Sequence, residues 1–67
     1  MTFGDMLREY RISKGATQAE FADRLGITQP SYSYLENAKD VRLSTIVRVC
    51  ELLGVSPGKL LAFKKEN

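Results

Sequence analysis

The stretch that most restricts the fold of this chain is residues 17–37, TQAEFADRLGITQPSYSYLEN. Thr17, with Glu20 three residues later, has the pattern of a capping box, which marks the start of a helix. The apolar residues that follow recur at helical spacing as far as Leu25. Gly26 comes next, where a chain leaving a helix often takes the left-handed backbone that glycine adopts without steric strain. The stretch therefore predicts two short helices joined by a tight turn.

The second of these helices is predicted to have an apolar inner side and an uncharged, polar outer side. Thr28 is a natural N-cap, and Pro30 fits the first turn because the amides there have no intrahelical acceptor. Tyr32 and Leu35 form the inward stripe. The side chains left on the outer side are those of Gln29, Ser33, Tyr34 and Asn37. Small polar side chains of this kind suit contact with the edges of DNA bases.

The rest of the chain is also predicted to be helical, without strand-like alternation. The first helix is expected over residues 2–14, the fourth over residues 43–53, and a short fifth helix after Ser56. The inward residues of the fourth helix are Ile46, Val49, Cys50 and Leu53. Five helices of this length give one domain over residues 1–63, and residues 64–67 are predicted to fray.

The composition excludes several classes of protein. A chain of 67 residues has room for one compact core. With no His and only Cys50, we expect no disulfide, no metal site and no cofactor. Cys50 is interpreted as buried filler, with a reactive or intermolecular thiol as the alternative. We find no membrane-spanning stretch and no signal peptide, so a soluble cytoplasmic protein is expected. The net charge of +2 is only a weak indication of a nucleic-acid partner.

Four short motifs in order carry a family resemblance. They are TQAEFA, LGIT and LENAK within residues 17–39, and LGVS at residues 53–56. With these motifs the chain resembles the helix-turn-helix of the lambdoid phage repressor and Cro family, the XRE-like transcriptional regulators. The resemblance covers about residues 7–61. It implies an all-α, compact, five-helix, lambda-repressor-like DNA-binding domain with its helix-turn-helix at residues 17–37.

The resemblance assigns base contacts to the outer side of the third helix, which would lie in the major groove. Gln29 aligns with a base-reading glutamine of the family, and its amide can both donate to and accept from adenine. Tyr34 could pack on a thymine methyl or reach a phosphate; the alternative is an aromatic ring that covers the groove between helices. Pro30 stands where relatives often carry a polar residue, so it offers only an apolar contact. Ser31 and Ser33 are secondary candidates, or mere spacers.

Phosphate contacts are predicted on both sides of the third helix. In the family, the glutamine that matches Gln18 grips a phosphate together with backbone amides and can also brace Gln29. The other phosphate candidates are Thr28, Asn37, Lys39 and Arg42. Each basic residue among them has an ordinary alternative as solvated surface.

Three positions after the third helix depart from the family, and at one of them Val41 replaces the usual Pro. Arg42 replaces the usual Ser or Thr cap of the fourth helix, so Asp40 or Ser44 is the candidate cap. Ala38 replaces a common glycine, and if that position needed a positive φ, alanine would cost about 1 kcal/mol.

Arg11 and Glu36 are interpreted as structural residues. In relatives, this Arg and Glu form a semi-buried ion pair that bridges the first and third helices. Direct DNA contact is the alternative for both.

The predicted function is sequence-specific binding of double-stranded DNA by a transcriptional regulator, a repressor on a palindromic operator. One recognition helix reads only a few base pairs, so a homodimer is expected. Leu60, Leu61 and Phe63 are the candidate dimer surface, although Phe63 could instead cap the core of a monomer. With no further domain in the sequence, no small-molecule ligand is expected. A Cro-like protein, a restriction–modification controller or an antitoxin is favoured over an inducible repressor.

A second hypothesis makes the helix-turn-helix a scaffold for a protein partner, such as a toxin or another regulator. The face for that partner would carry Tyr32, Tyr34 and Pro30. An enzyme is not expected, because the chain has no nucleophile–base pair, no metal cluster and no room to enclose a substrate.

Overall fold

A computed structural model describes residues 1–62 of the chain. Five helices follow one another: α1 (Phe3–Ser13), α2 (Gln18–Leu25), α3 (Gln29–Asn37), α4 (Leu43–Leu53) and α5 (Pro57–Leu61). The described part contains no strand. This confirms the predicted all-α, five-helix fold class. The predicted frayed tail, residues 64–67, lies outside the described residues, as does Phe63.

Local sequence signals set the ends of the helix-turn-helix. The Thr17 hydroxyl accepts a hydrogen bond from the backbone N–H of Glu20, and the Glu20 carboxylate accepts one from the N–H of Thr17. Gly26 ends α2 with φ 70°, in the left-handed region. Thr28 caps α3 by accepting from the N–H of Ser31. The predicted capping box, glycine turn and second cap are all present.

The core is built from apolar side chains of all five helices. Leu7, Phe21, Tyr32, Cys50 and Leu60 are each almost completely buried. The rings of Phe21 and Tyr32 meet edge to face, with centroids 6.0 Å apart. Burial also raises the pKa of the Cys50 thiol, which fits the interpretation of this residue as buried filler.

Helices α1 and α3 approach each other very closely at Gly4. A Cβ atom added to Gly4 would lie 2.2 Å from the carbonyl oxygen of Glu36 and 2.7 Å from that of Leu35. These distances leave no room for any side chain. The close approach places the end of α3 against the start of α1, and so fixes the tilt of α3 on the domain.

The start of α4 corrects one expectation. The N-cap residue is Arg42, and no side chain makes a capping hydrogen bond there. Neither Asp40 nor Ser44 therefore caps α4. Ala38 ends α3 with φ −71°, so this position needs no positive φ and the alanine is not strained.

Arg24 ties the end of α4 to α2. Its guanidinium donates a hydrogen bond to the carbonyl oxygen of Leu53 at 3.1 Å and lies over the ring of Phe21.

None of the helices within residues 1–62 has the length and the apolar character needed to span a membrane.

Candidate nucleic-acid interface

The outward side of α3 is a nearly continuous exposed surface. Gln29, Pro30, Ser31 and Tyr34 are exposed, and Ser33 is half-buried. Tyr34 is 69% exposed, which is far more than an aromatic ring usually leaves in water. All five base-reading candidates are therefore at least partly accessible on α3.

The polar groups of this surface differ in how far they are already engaged. The side chain of Gln29 makes no hydrogen bond within the described part of the chain, so its amide is free to meet a base. The hydroxyl of Thr28 donates to that of Ser31 at 3.0 Å while it also caps α3. This second role leaves Thr28 with less capacity for a phosphate than a free hydroxyl would have.

Glu36 is the only charged residue of α3, and it faces inward. It is 1% exposed. Because this carboxylate is turned into the domain, the exposed face of α3 carries no negative charge toward a polyanion. That is the electrostatic condition for an approach to DNA phosphates.

Four side chains surround the Glu36 carboxylate. Arg11 donates from Nε to Oε2 at 2.7 Å and from a terminal nitrogen to Oε1 at 3.3 Å. Gln18 donates to Oε1 at 3.0 Å, and the Tyr32 hydroxyl donates to Oε2. Arg8 lies 3.5 Å from Oε1 and also donates to the Glu36 backbone carbonyl. We call these residues, with Glu36, the Glu36 cluster.

The cluster shifts the pKa values of its members in a consistent direction. Burial alone would raise the pKa of Glu36, but hydrogen bonds from Arg11, Tyr32 and Gln18 outweigh it and hold that pKa below its usual value. The bond to Glu36 raises the pKa of Arg11. Burial and the same carboxylate raise the pKa of the Tyr32 hydroxyl. All three groups therefore keep their neutral-pH charge states firmly.

Gln18 corrects one expected contact. Its amide nitrogen bonds to Glu36, not to Gln29, so Gln18 does not brace the base-reading candidate. Gln18 lies in the first position of α2, where backbone amides lack intrahelical acceptors. The bond to Glu36 directs its side chain toward α3.

Two basic residues lie in the loop that follows the C-terminal end of α3. Lys39 and Arg42 are exposed, and neither makes an ion pair within residues 1–62. Asn37 donates from its amide nitrogen to the backbone carbonyl of Ser33 at 2.8 Å. Of these three phosphate candidates, the two cations are thus available to solvent and the amide of Asn37 is partly engaged.

The observed burial of Leu60 and Tyr32 corrects two other expectations. Leu60 is completely buried in the core of its own chain, which corrects its assignment to a dimer surface; Leu61 is 42% exposed, and Phe63 lies outside the described residues. Tyr32 is completely buried as well, so it cannot belong to an exposed protein-binding face.

Sequence reasoning missed the roles of Gly4 and Arg8. A glycine in the first turn of an otherwise good helix is a signal of close packing that could have been followed. Arg8 lies one helical turn from Arg11, which could have indicated a shared partner.

Comparison with known proteins gives a consistent result. A family model described as a helix-turn-helix matches residues 7–60. The SPbeta prophage-derived HTH-type transcriptional regulator YonR of Bacillus subtilis (strain 168) is 42% identical over 60 residues, which cover 88% of this chain and 56% of YonR. The HTH-type transcriptional regulator YozG of the same organism is 39% identical over 50 residues, covering 72% of this chain and 60% of YozG.

A third regulator of that organism, YqaE, is 35% identical over 60 residues, covering 88% of this chain and 52% of YqaE. The chain therefore spans roughly half to three-fifths of the length of these relatives. No solved structure matches the chain significantly. The relatives are named as regulators and not as enzymes, in agreement with the prediction that the chain is not an enzyme.

Proposed function

The chain belongs to the XRE-like helix-turn-helix family, and from this membership we propose that it is a transcriptional regulator that binds double-stranded DNA sequence-specifically. In this proposal α3 lies in the major groove, and Gln29 and Tyr34 contact base edges. Gln18, Lys39 and Arg42 contact phosphates on either side. The protein acts where the bacterial or phage genome lies, in the cytoplasm.

The observation that carries the proposal is the absence of negative charge on the exposed side of α3. The one acid of that helix is buried against Arg11. The free amide of Gln29 and the exposed ring of Tyr34 are then presented on a helix that two unpaired cations, Lys39 and Arg42, follow in the chain. A helix exposed only to water would gain nothing from such an arrangement.

We further propose that the protein acts as a homodimer and represses transcription from a palindromic operator. A nine-residue helix is only about 13 Å long, so it spans about four base pairs at about 3.4 Å each. Two such helices on half-sites about one helical turn apart, about 34 Å, give a site long enough to be specific. Leu61 is the dimer-surface candidate with exposed apolar area among the described residues.

Selection of bound duplexes from a random pool, followed by gel-shift titration, tests the proposal. The expected result is a palindromic consensus bound with strong salt dependence. A failure to bind any duplex at micromolar protein would rule out the DNA function. A consensus of one short half-site would rule out the dimer but not DNA binding.

Gln29→Ala is expected to weaken binding to the selected operator by about 1–3 kcal/mol and to relax the preference at one base position. The reason is that the substitution removes both the donor and the acceptor offered to one base. Anisotropy titrations against operators mutated at each position measure the effect. An equal loss on every sequence would show that Gln29 contacts only the backbone.

Lys39→Ala is expected to weaken binding to all duplexes alike and to lower the slope of log K against log salt by about one per site. One phosphate contact, and the counterion released with it, is lost. Lys59→Ala is the matched control, because Lys59 is an exposed lysine of α5 outside the proposed interface. Equal slopes for both variants would contradict the assignment of Lys39.

A further inference from the structure

A second surface lies beside α3. Most of its residues are not among the proposed DNA contacts. A cleft of about 620 Å³ opens between the helix-turn-helix and α4. Its apolar walls are Leu25, Ile27, Leu35, Val49 and Leu52, and its rim includes Ser31, Tyr34, Thr45 and Arg48. We call this surface the α3–α4 groove. Its volume lies within the range of about 300–1,000 Å³ usual for binding clefts.

Several apolar side chains that line the groove are partly or largely exposed. Leu52 is 39% exposed, and the Tyr34 ring is 69% exposed. Leu35 and Ile27 are only partly buried although they pack against the core. Covering these side chains would remove apolar area from water, which is the usual driving force for docking a partner.

Charge in the groove has one sign. Arg48 is the only charged residue that lines it. Arg48 is exposed and makes no ion pair or hydrogen bond within the described residues. Because Thr45, Arg48 and Leu52 follow one another at helical spacing, they form one stripe of α4 along the groove. A ligand that complements this stripe carries apolar groups to pack on Leu52 and a carboxylate to pair with Arg48.

A second, smaller cleft adjoins the groove. This cleft has a volume of about 240 Å³ and is lined by residues of α3, of the α3–α4 loop and of the start of α4. The two clefts share Tyr34, Leu35 and Thr45. The smaller cleft has Asp40 and Arg42 at its edge. Two adjoining clefts, one with mainly apolar walls and one with charged residues at its edge, fit a peptide segment that places successive side chains in each of them.

We propose that the α3–α4 groove binds an acidic, amphipathic segment of a partner protein. Apolar side chains of that segment pack against Leu35 and Leu52, and an Asp or Glu of the segment pairs with Arg48. The occupant differs from DNA, which offers phosphates but no apolar side chains to fill the cleft.

The position of the groove gives this binding a consequence for regulation, which rests on the proposed DNA function. Ser31 and Tyr34 line the groove and also belong to the proposed base-reading side of α3. A segment seated there would cover Tyr34, so the partner and the operator compete for the protein. The partner would then act as an antagonist of DNA binding.

The test uses random 16-residue peptides displayed and selected on the immobilised full chain without DNA. We expect enriched peptides that combine several apolar residues with at least one Asp or Glu. Synthetic versions are then titrated by fluorescence anisotropy against the wild type and four variants. No enrichment, or enrichment of basic peptides, would overturn the proposal.

Arg48→Glu and Leu52→Ser are each expected to weaken peptide binding about tenfold or more, because one creates like-charge repulsion and the other removes apolar contact. Lys59→Glu and Ile12→Ser are the matched controls, with a charge reversal and an apolar-to-Ser change at exposed positions outside the groove. They should change affinity less than twofold. A peptide whose acid is replaced by Lys should recover binding to Arg48→Glu. Equal effects in test and control variants would overturn the assignment.

Two further measurements distinguish this proposal from a homodimer contact in the groove and from the proposed DNA function. Sedimentation of the wild type and Arg48→Glu shows whether a second copy fills the groove; a dimer that dissociates on this substitution would overturn the partner-protein assignment. A selected peptide should raise the apparent Kd for the operator. Simultaneous binding of peptide and operator would overturn the competition, and peptide binding with no operator binding would instead count against the DNA function.

Discussion

Gly4→Ala is expected to destabilise the domain by about 3 kcal/mol or more, because overpacking against backbone cannot be relieved by rotating a side chain. The added Cβ would stand 2.2 Å from the Glu36 carbonyl oxygen and 2.6 Å from its carbonyl carbon. Either α1 or α3 must shift, and the Glu36 cluster would be disturbed with it. Urea unfolding followed by circular dichroism measures the loss.

This expectation has the opposite sign to the one that helix propensity gives. Alanine is favoured over glycine within a helix by about 0.5–1 kcal/mol. Gly58→Ala is the matched control, because Gly58 also lies in a helix and an added Cβ there meets nothing within 4 Å. We expect Gly58→Ala to be neutral or slightly stabilising. Similar unfolding midpoints for the two variants would contradict the close approach of α1 and α3.

Glu36→Gln is expected to cost about 3 kcal/mol, at the lower end of the range for breaking a buried ion pair. The substitution keeps the size of the side chain but removes the charge that Arg11 and Arg8 share. Arg11, whose side chain is only 14% exposed, would be left without its carboxylate. For a domain of this length, such a loss lowers the Tm by about 12–24 °C. Calorimetry or thermal circular dichroism measures it.

The same variant tests the charge of Glu36 through pH. The pKa of Glu36 is lower in the folded protein than its ordinary value of 4.5. The contribution of this group is therefore fully present above about pH 4.5 and is lost as the pH falls through the lower, folded pKa. Unfolding free energies of the wild type and Glu36→Gln should converge on acidification below pH 4.5.

Glu51→Gln is the control for the thermal measurement, since Glu51 is exposed and has no ion pair within residues 1–62. It should leave the Tm almost unchanged. A constant difference between the wild type and Glu36→Gln down to low pH would show that the contribution of Glu36 is packing and not charge.

The close match between expected and observed helices has a local cause. Thr17, Glu20 and Gly26 act within one or two turns of their own positions, through capping bonds and a left-handed φ. The apolar periodicity of α2 and α4 likewise identifies their inward sides without knowledge of the partner helices. The failed expectation for the cap of α4 lies where no local signal is strong, and α4 begins there after Arg42 without a side-chain cap.

The sequence alone therefore determined the helices, the glycine turn and the fold class, because these depend on neighbours along the chain. It also identified the outer side of α3 as a site candidate. Only the tertiary structure decided that Gln18 bonds to Glu36, that Leu60 and Tyr32 are fully buried, and that Gly4 admits no side chain. Each of these depends on which distant residue arrives at a given surface. The α3–α4 groove was likewise decided by the tertiary structure, because it is formed between helices that are brought together only by folding.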